Sequence, residues 1–153
     1  MAGIVAGTLA TLAQMLLWIA VGDDAWTLLL RDARLTAALV QGKAALPPSG
    51  GFNAGIMLAA TGIHFALSVM YAALLLPVAK RLTRVPSLLA GAGFGVLLYF
   101  VNLHVLTVIF PWFAEARSGI TLAVHSVFGL AVMLTYRWLG VHARATDGWT
   151  PGY

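Results

Sequence analysis

The chain has 153 residues, one domain's worth, of which 61% are hydrophobic and only 9% charged, with a net charge of +4. Soluble domains carry about 25% charged residues, so this chain lacks the polar surface of a water-soluble fold and lipid is its expected solvent. It has no cysteine, which excludes disulfides, thiolate metal sites and thiol nucleophiles. Its nine basic residues are spread along the chain, a pattern of membrane anchoring rather than nucleic-acid binding.

A helix crosses the hydrocarbon core with about 20 mostly apolar residues. The first such stretch runs from about Gly3 to Val21 and stops at Gly22-Asp23-Asp24. No basic region precedes it and residue 2 is alanine, so neither a cleavable signal nor a lipidation motif is expected. The next segment, Ala25 to Leu46, places Arg31, Asp32, Arg34 and Lys43 among leucines and alanines. It reads as an interfacial helix with Trp26, Leu29, Leu30 and Leu39 on its apolar face. Pro47-Pro48-Ser49-Gly50-Gly51 then breaks the chain.

The second span is predicted from about Gly55 to Ala79, closed by Lys80-Arg81. The third runs from about Pro86 to Phe110, before Pro111, and the fourth from about Gly119 to Tyr136, closed by Arg137. Residues 137–153 form a tail. The expected fold is an all-α membrane bundle of four transmembrane helices with one extra interfacial helix between the first and second.

Four spans put both termini on one side. That side holds Lys80, Arg81, Arg84, Arg137 and Arg144, three of them in one short loop where basic residues weigh most. The opposite side holds Arg31, Arg34, Lys43 and Arg117 together with Asp23, Asp24, Asp32 and Glu115. The termini are therefore expected in the cytoplasm. Trp18, Trp26, Tyr99, Trp112 and Trp138 lie mostly near span ends, where amphipathic rings settle.

The first and third spans share a pattern. Gly3 and Gly7 precede Gln14, and Gly91 and Gly95 precede Asn102, at the same spacings. Small residues four apart let helix backbones approach closely, and an amide further along can bond across the contact. Asp32-Ala33-Arg34 and Glu115-Ala116-Arg117 echo each other in the outer loops. His64 and His125 sit one in each of the even-numbered spans. A two-fold pseudo-repeat about the membrane normal is expected.

Ionisable groups within a span point to function by default. Here they are His64, His104 and His125, all in the outer half of the bundle, with Gln14 and Asn102 as polar neutrals. Ala60, His64, Ser68 and Tyr71 make one stripe at helical spacing, and Thr121, His125 and Gly129 another. His64 with His125 could ligate a b-type haem, three histidines could hold copper or zinc, and a histidine with Asn102 could hold a quinone, with Tyr71 or Trp112 stacking. The plain alternative is structural: a neutral imidazole donates one hydrogen bond and accepts another between helices. Outside the spans, Asp32, Arg34, Trp112, Glu115 and Arg117 could contact a partner or ligand, or simply anchor the interface.

No nucleophile elbow, no His-Glu-x-x-His and no carboxylate within a span is present. Gly91-Ala92-Gly93-Phe94-Gly95 lies in a membrane helix and follows no strand, so it is no nucleotide loop.

Several motifs carry a resemblance: Leu30 to Ala38 with Pro47-Pro48, Thr61-Gly62-Ile63-His64-Phe65, Phe110-Pro111-Trp112-Phe113 with Ala116-Arg117, and Ile120-Thr121 with His125 and Phe128-Gly129. Together they resemble a family of small four-helix bacterial inner-membrane proteins of unknown function, over nearly the whole chain. Members are sometimes labelled sodium:proline symporters, a label that implies inverted repeats and more spans than four. The resemblance implies that His64, His125, Arg34 and Arg117 belong to a shared pattern, and that a tyrosine is usual at His104. It implies no catalytic residue. The leading expectation is a non-enzymatic accessory subunit or homo-oligomer that packs through Gly3, Gly7, Gly91, Gly95 and Gly129. The alternatives are a haem b or quinone carrier and a small oligomeric transporter or channel.

Overall fold

The computed structural model describes residues 1–46 and 51–140; the predicted break at Pro47-Pro48-Ser49-Gly50, Arg144 and the rest of the tail from 141 lie outside the described residues. Within them the chain is all-helical. Its elements are α1 (Ala2–Val21), α2 (Ala25–Gln41), α3 (Ala54–Arg81), α4 (Arg84–Phe100) and α5 (Gly119–Trp138). Four helical stretches, Ala2–Val21, Ala54–Arg81, Arg84–Val108 and Gly119–Trp138, are long and apolar enough to cross a membrane. Their outward side chains include Leu12, Leu16, Leu58, Leu74, Leu89 and Leu97, all exposed. Such a surface is compatible with a multi-pass membrane protein.

Local chemistry sets most boundaries. Gly22 takes a left-handed conformation, φ 85°, and its N–H bonds the Ile19 carbonyl, ending α1. Two residues on, the Asp24 carboxylate accepts from the Trp26 and Thr27 N–H groups and starts α2. Gly42, φ 70°, stops α2 before a 3₁₀ turn over Gly42–Ala45, so the predicted single helix to Leu46 is shorter by about a turn. Asn53 caps α3 and Ser118 caps α5, each accepting an N–H three residues ahead.

The third span has close to its predicted extent, Arg84–Val108, but is not one regular helix. Regular α-helix ends at Phe100; a π turn follows over Val101–Val105 and a 3₁₀ turn over Leu106–Val108. A second 3₁₀ stretch, Pro111–Ala116, then leads back to α5. Arg117 holds the broken end. Its Nε donates to the Leu103 carbonyl at 2.6 Å and its Nη2 to the Thr107 hydroxyl at 2.9 Å.

α5 is the hub, packing on α1, α3 and α4. Val132 and Met133 are fully buried there, among Ala2, Ala6 and Ala10 of α1 and Ala72, Leu75 and Ala79 of α3. Tyr136 closes this core by donating its hydroxyl to the Ala72 carbonyl at 2.8 Å.

The two glycine stripes lie inside the chain's own bundle. A Cβ on Gly3 would meet the Ser68 carbonyl and Val69 of α3, and one on Gly7 would meet Ser68 Oγ and His64 Nε2. A Cβ on Gly91 would meet the Gly129 carbonyl, and one on Gly95 the His125 carbonyl. The surfaces expected to bind another molecule thus face α3 and α5.

α2 packs chiefly on α3. Its buried residues are Ala25, Ala33, Leu35, Ala37 and Ala38, while Trp26 is exposed and Leu29, Leu30 and Leu39 are half-buried. Alanines allow a close approach between helices.

Candidate functional site

A cavity of about 430 Å³ opens at the α2 end of the bundle. Every helix contributes to it: Thr11 and Gln14 from α1, Asp32 and Thr36 from α2, His64, Ser68 and Tyr71 from α3, and Thr121 and His125 from α5. Leu98 of α4 and Asn102 of the π turn complete the ring, and Phe110, Phe113 and Ala116 form the rim. Most of the wall is apolar, including Leu35, Leu39, Leu67, Leu103, Val124 and Phe128. A smaller cavity of about 320 Å³ between α1, α2 and α3 shares Thr11, Gln14, Asp32, Thr36 and His64 with it.

Hydrogen bonds fix which atoms face a ligand. Thr11 donates its one hydroxyl proton to the Gly7 carbonyl at 3.1 Å. His64 Nε2 lies 3.4 Å from the same hydroxyl, so this nitrogen is turned towards α1. On His125 the acceptor is a carbonyl: Nδ1 donates to the Thr121 carbonyl at 2.8 Å, leaving the lone pair on Nε2. Tyr71 donates to Asn102 Oδ1 at 2.9 Å, which leaves the Asn102 amide N–H groups available. Among the described residues no partnerless side-chain nitrogen or oxygen is sealed off, so these spare positions and Ser68 Oγ remain reachable.

Haem fits this geometry poorly. His64 Nε2 points at α1 rather than across the cavity, and no lysine or arginine lines the wall to meet the propionates. His104 is the clearest departure from expectation. It is exposed, lies against Tyr99 and Phe100, and is absent from the cavity wall. Among the described residues no cluster of three metal-ligating side chains occurs.

The charges at the α2 end of the bundle make local bonds. Asp32 pairs with Arg31 at 2.8 Å and accepts from Gln14 at 3.0 Å. Arg34 donates to the Gly51 carbonyl at 2.9 Å. Trp112 Nε1 donates to the Leu35 carbonyl at 3.0 Å, tying α2 to the rim. Glu115 is exposed. Thr11 went unremarked in the sequence, although Gly3, Gly7, Thr11 and Gln14 share one helical stripe.

Burial pushes the Asp32 carboxyl above its usual 3.8, against the opposing pull of Arg31 and Gln14. The folded state therefore holds this proton more tightly than the unfolded chain does. Asp32's contribution to stability is greatest below pH 3.8 and declines as pH rises through the folded-state value. Unfolding midpoints of wild type and Asp32→Asn, followed from pH 3 to pH 8, are expected to show wild type losing ground to the variant as pH rises. Wild type gaining on the variant as pH rises would refute the assignment.

Comparison with protein-family models, curated proteins and solved structures gives no match.

Proposed function

We propose that this protein is a small, non-enzymatic, multi-pass protein of the bacterial inner membrane whose cavity holds an uncharged amphipathic ring compound of the quinone class. One observation carries this reading: a single cavity of about 430 Å³ gathers His64, Tyr71, Asn102 and His125 from three helical elements within a mostly apolar wall. Binding sites for small apolar ligands have this composition, a greasy enclosure with a few convergent polar groups. The competing reading, a subunit or homo-oligomer joined through the glycine stripes, loses support because those stripes contact α3 and α5 of the same chain.

The same proposal includes the topology. Lys80, Arg81 and Arg84 cluster in the α3–α4 connection, which favours placing it and both termini in the cytoplasm. α2 then lies at the outer interface with Trp26 turned towards the headgroups. The proposal also takes the chain as a two-fold pseudo-repeat and as a relative of the inner-membrane family its motifs resemble. In support, Gly7 meets His64 and Gly3 meets Ser68, while Gly95 meets His125 and Gly91 meets Gly129. Each pair of contacts is four residues apart on both helices.

The test is titration of the protein in lipid nanodiscs with a decyl-substituted benzoquinol, read by tryptophan fluorescence and calorimetry. Saturable one-to-one binding is expected, weakened at least about tenfold in Val124→Trp, which fills the cavity. Non-saturating partition, identical in wild type and variant, would sink the proposal.

A further inference from the structure

The hydrogen-bond inventory of the cavity goes further, and it rests on the ligand-binding reading above. His125 has used its one proton inside the protein, on the Thr121 carbonyl. Its neutral ring therefore offers an acceptor and no donor. Asn102 offers amide donors, because its carbonyl takes the Tyr71 proton. Ser68, also on the cavity wall, carries a hydroxyl that can serve either way.

We infer that the cavity selects its ligand by hydroxyl protons, taking an aromatic alcohol, the quinol form, in preference to the quinone. A quinol oxygen donates to an imidazole lone pair and accepts from Asn102 at the same time. A quinone oxygen can only accept. It satisfies Asn102 and leaves the imidazole lone pair facing a carbonyl oxygen. Leaving a buried acceptor unpaired costs enough to change affinity by about tenfold or more, and sites that bond a hydroxyl reject the analogue lacking it.

The experiment avoids redox chemistry. Full-length protein in lipid nanodiscs is titrated with 4-octylphenol and with its methyl ether, 4-octylanisole, which differ in one donor proton. The phenol is expected to bind about tenfold tighter than the ether, and His125→Phe should reduce that ratio towards one while still binding both. Equal affinity of the two probes in wild type would overturn donor selection and leave cavity binding standing. Failure of both probes to bind saturably would overturn cavity binding as well. Because the decisive ratio is measured on wild type, the outcome does not depend on whether the variant folds.

Discussion

Gly129→Ala is expected to destabilise the bundle by about 3 kcal/mol, the upper end of overpacking costs. The added methyl would collide with the Gly91 carbonyl and press on the Gly95 nitrogen at 3.2 Å. Both are backbone, so no side chain can rotate away. The reciprocal contacts are as close: Gly91 against the Gly129 carbonyl and Gly95 against the His125 carbonyl. α4 and α5 can accept a methyl there only by separating along the interface. Gly62→Ala and Gly93→Ala are the controls, since nothing lies within 4 Å of either added Cβ. They should leave stability unchanged or raise it by up to about 1 kcal/mol, because alanine is the better helix former. Unfolding free energies in mixed micelles would decide. Equal stability of Gly129→Ala and wild type would mean that the two helices are not in backbone contact.

The second large effect is expected at Arg117. The π turn loosens the regular hydrogen-bond ladder around Asn102, and the Arg117 guanidinium takes up the Leu103 carbonyl and the Thr107 hydroxyl. Hydrogen bonds to charged groups are worth about 1.5–3 kcal/mol, and Arg117→Ala should lose that much. The loss should be local. Amide hydrogen exchange between Leu103 and Phe110 should accelerate, while exchange in α5 beyond Val124 stays slow. Asn102 lines the cavity from within the same turn, so decyl-benzoquinol affinity should fall together with protection. Unchanged exchange over Leu103–Phe110 would show that the turn holds itself without the guanidinium.

What could be read from the sequence divides along physical lines. The four spans were legible because twenty uncharged apolar residues have few other uses. The glycine spacing announced close helix contact but could not say with which helix, because spacing carries no partner information. His64, Tyr71, Asn102 and His125 were found by type and depth, and the structure gathers them at one cavity. His104 was chosen by the same type and depth, which do not say which way a side chain faces, and it lies exposed against Tyr99 and Phe100 instead of on the cavity wall. Asp32 and Gln14 were assigned to separate roles, yet they bond at 3.0 Å. That pairing depends on how α2 folds back over α1, which a hydropathy pattern does not encode.

The central position of α5 has a bearing on biogenesis. α1, α3 and α4 each rest on it, yet it is the last of the four to emerge from the ribosome. In a multi-pass membrane protein, the earlier three would enter the bilayer before their common neighbour exists. Insertion and side-by-side docking would then be separate stages, with the glycine face of α4 waiting in lipid until Gly129 arrives. Translation arrested before Gly119 should give a chain that is threaded through the membrane but has no closed cavity.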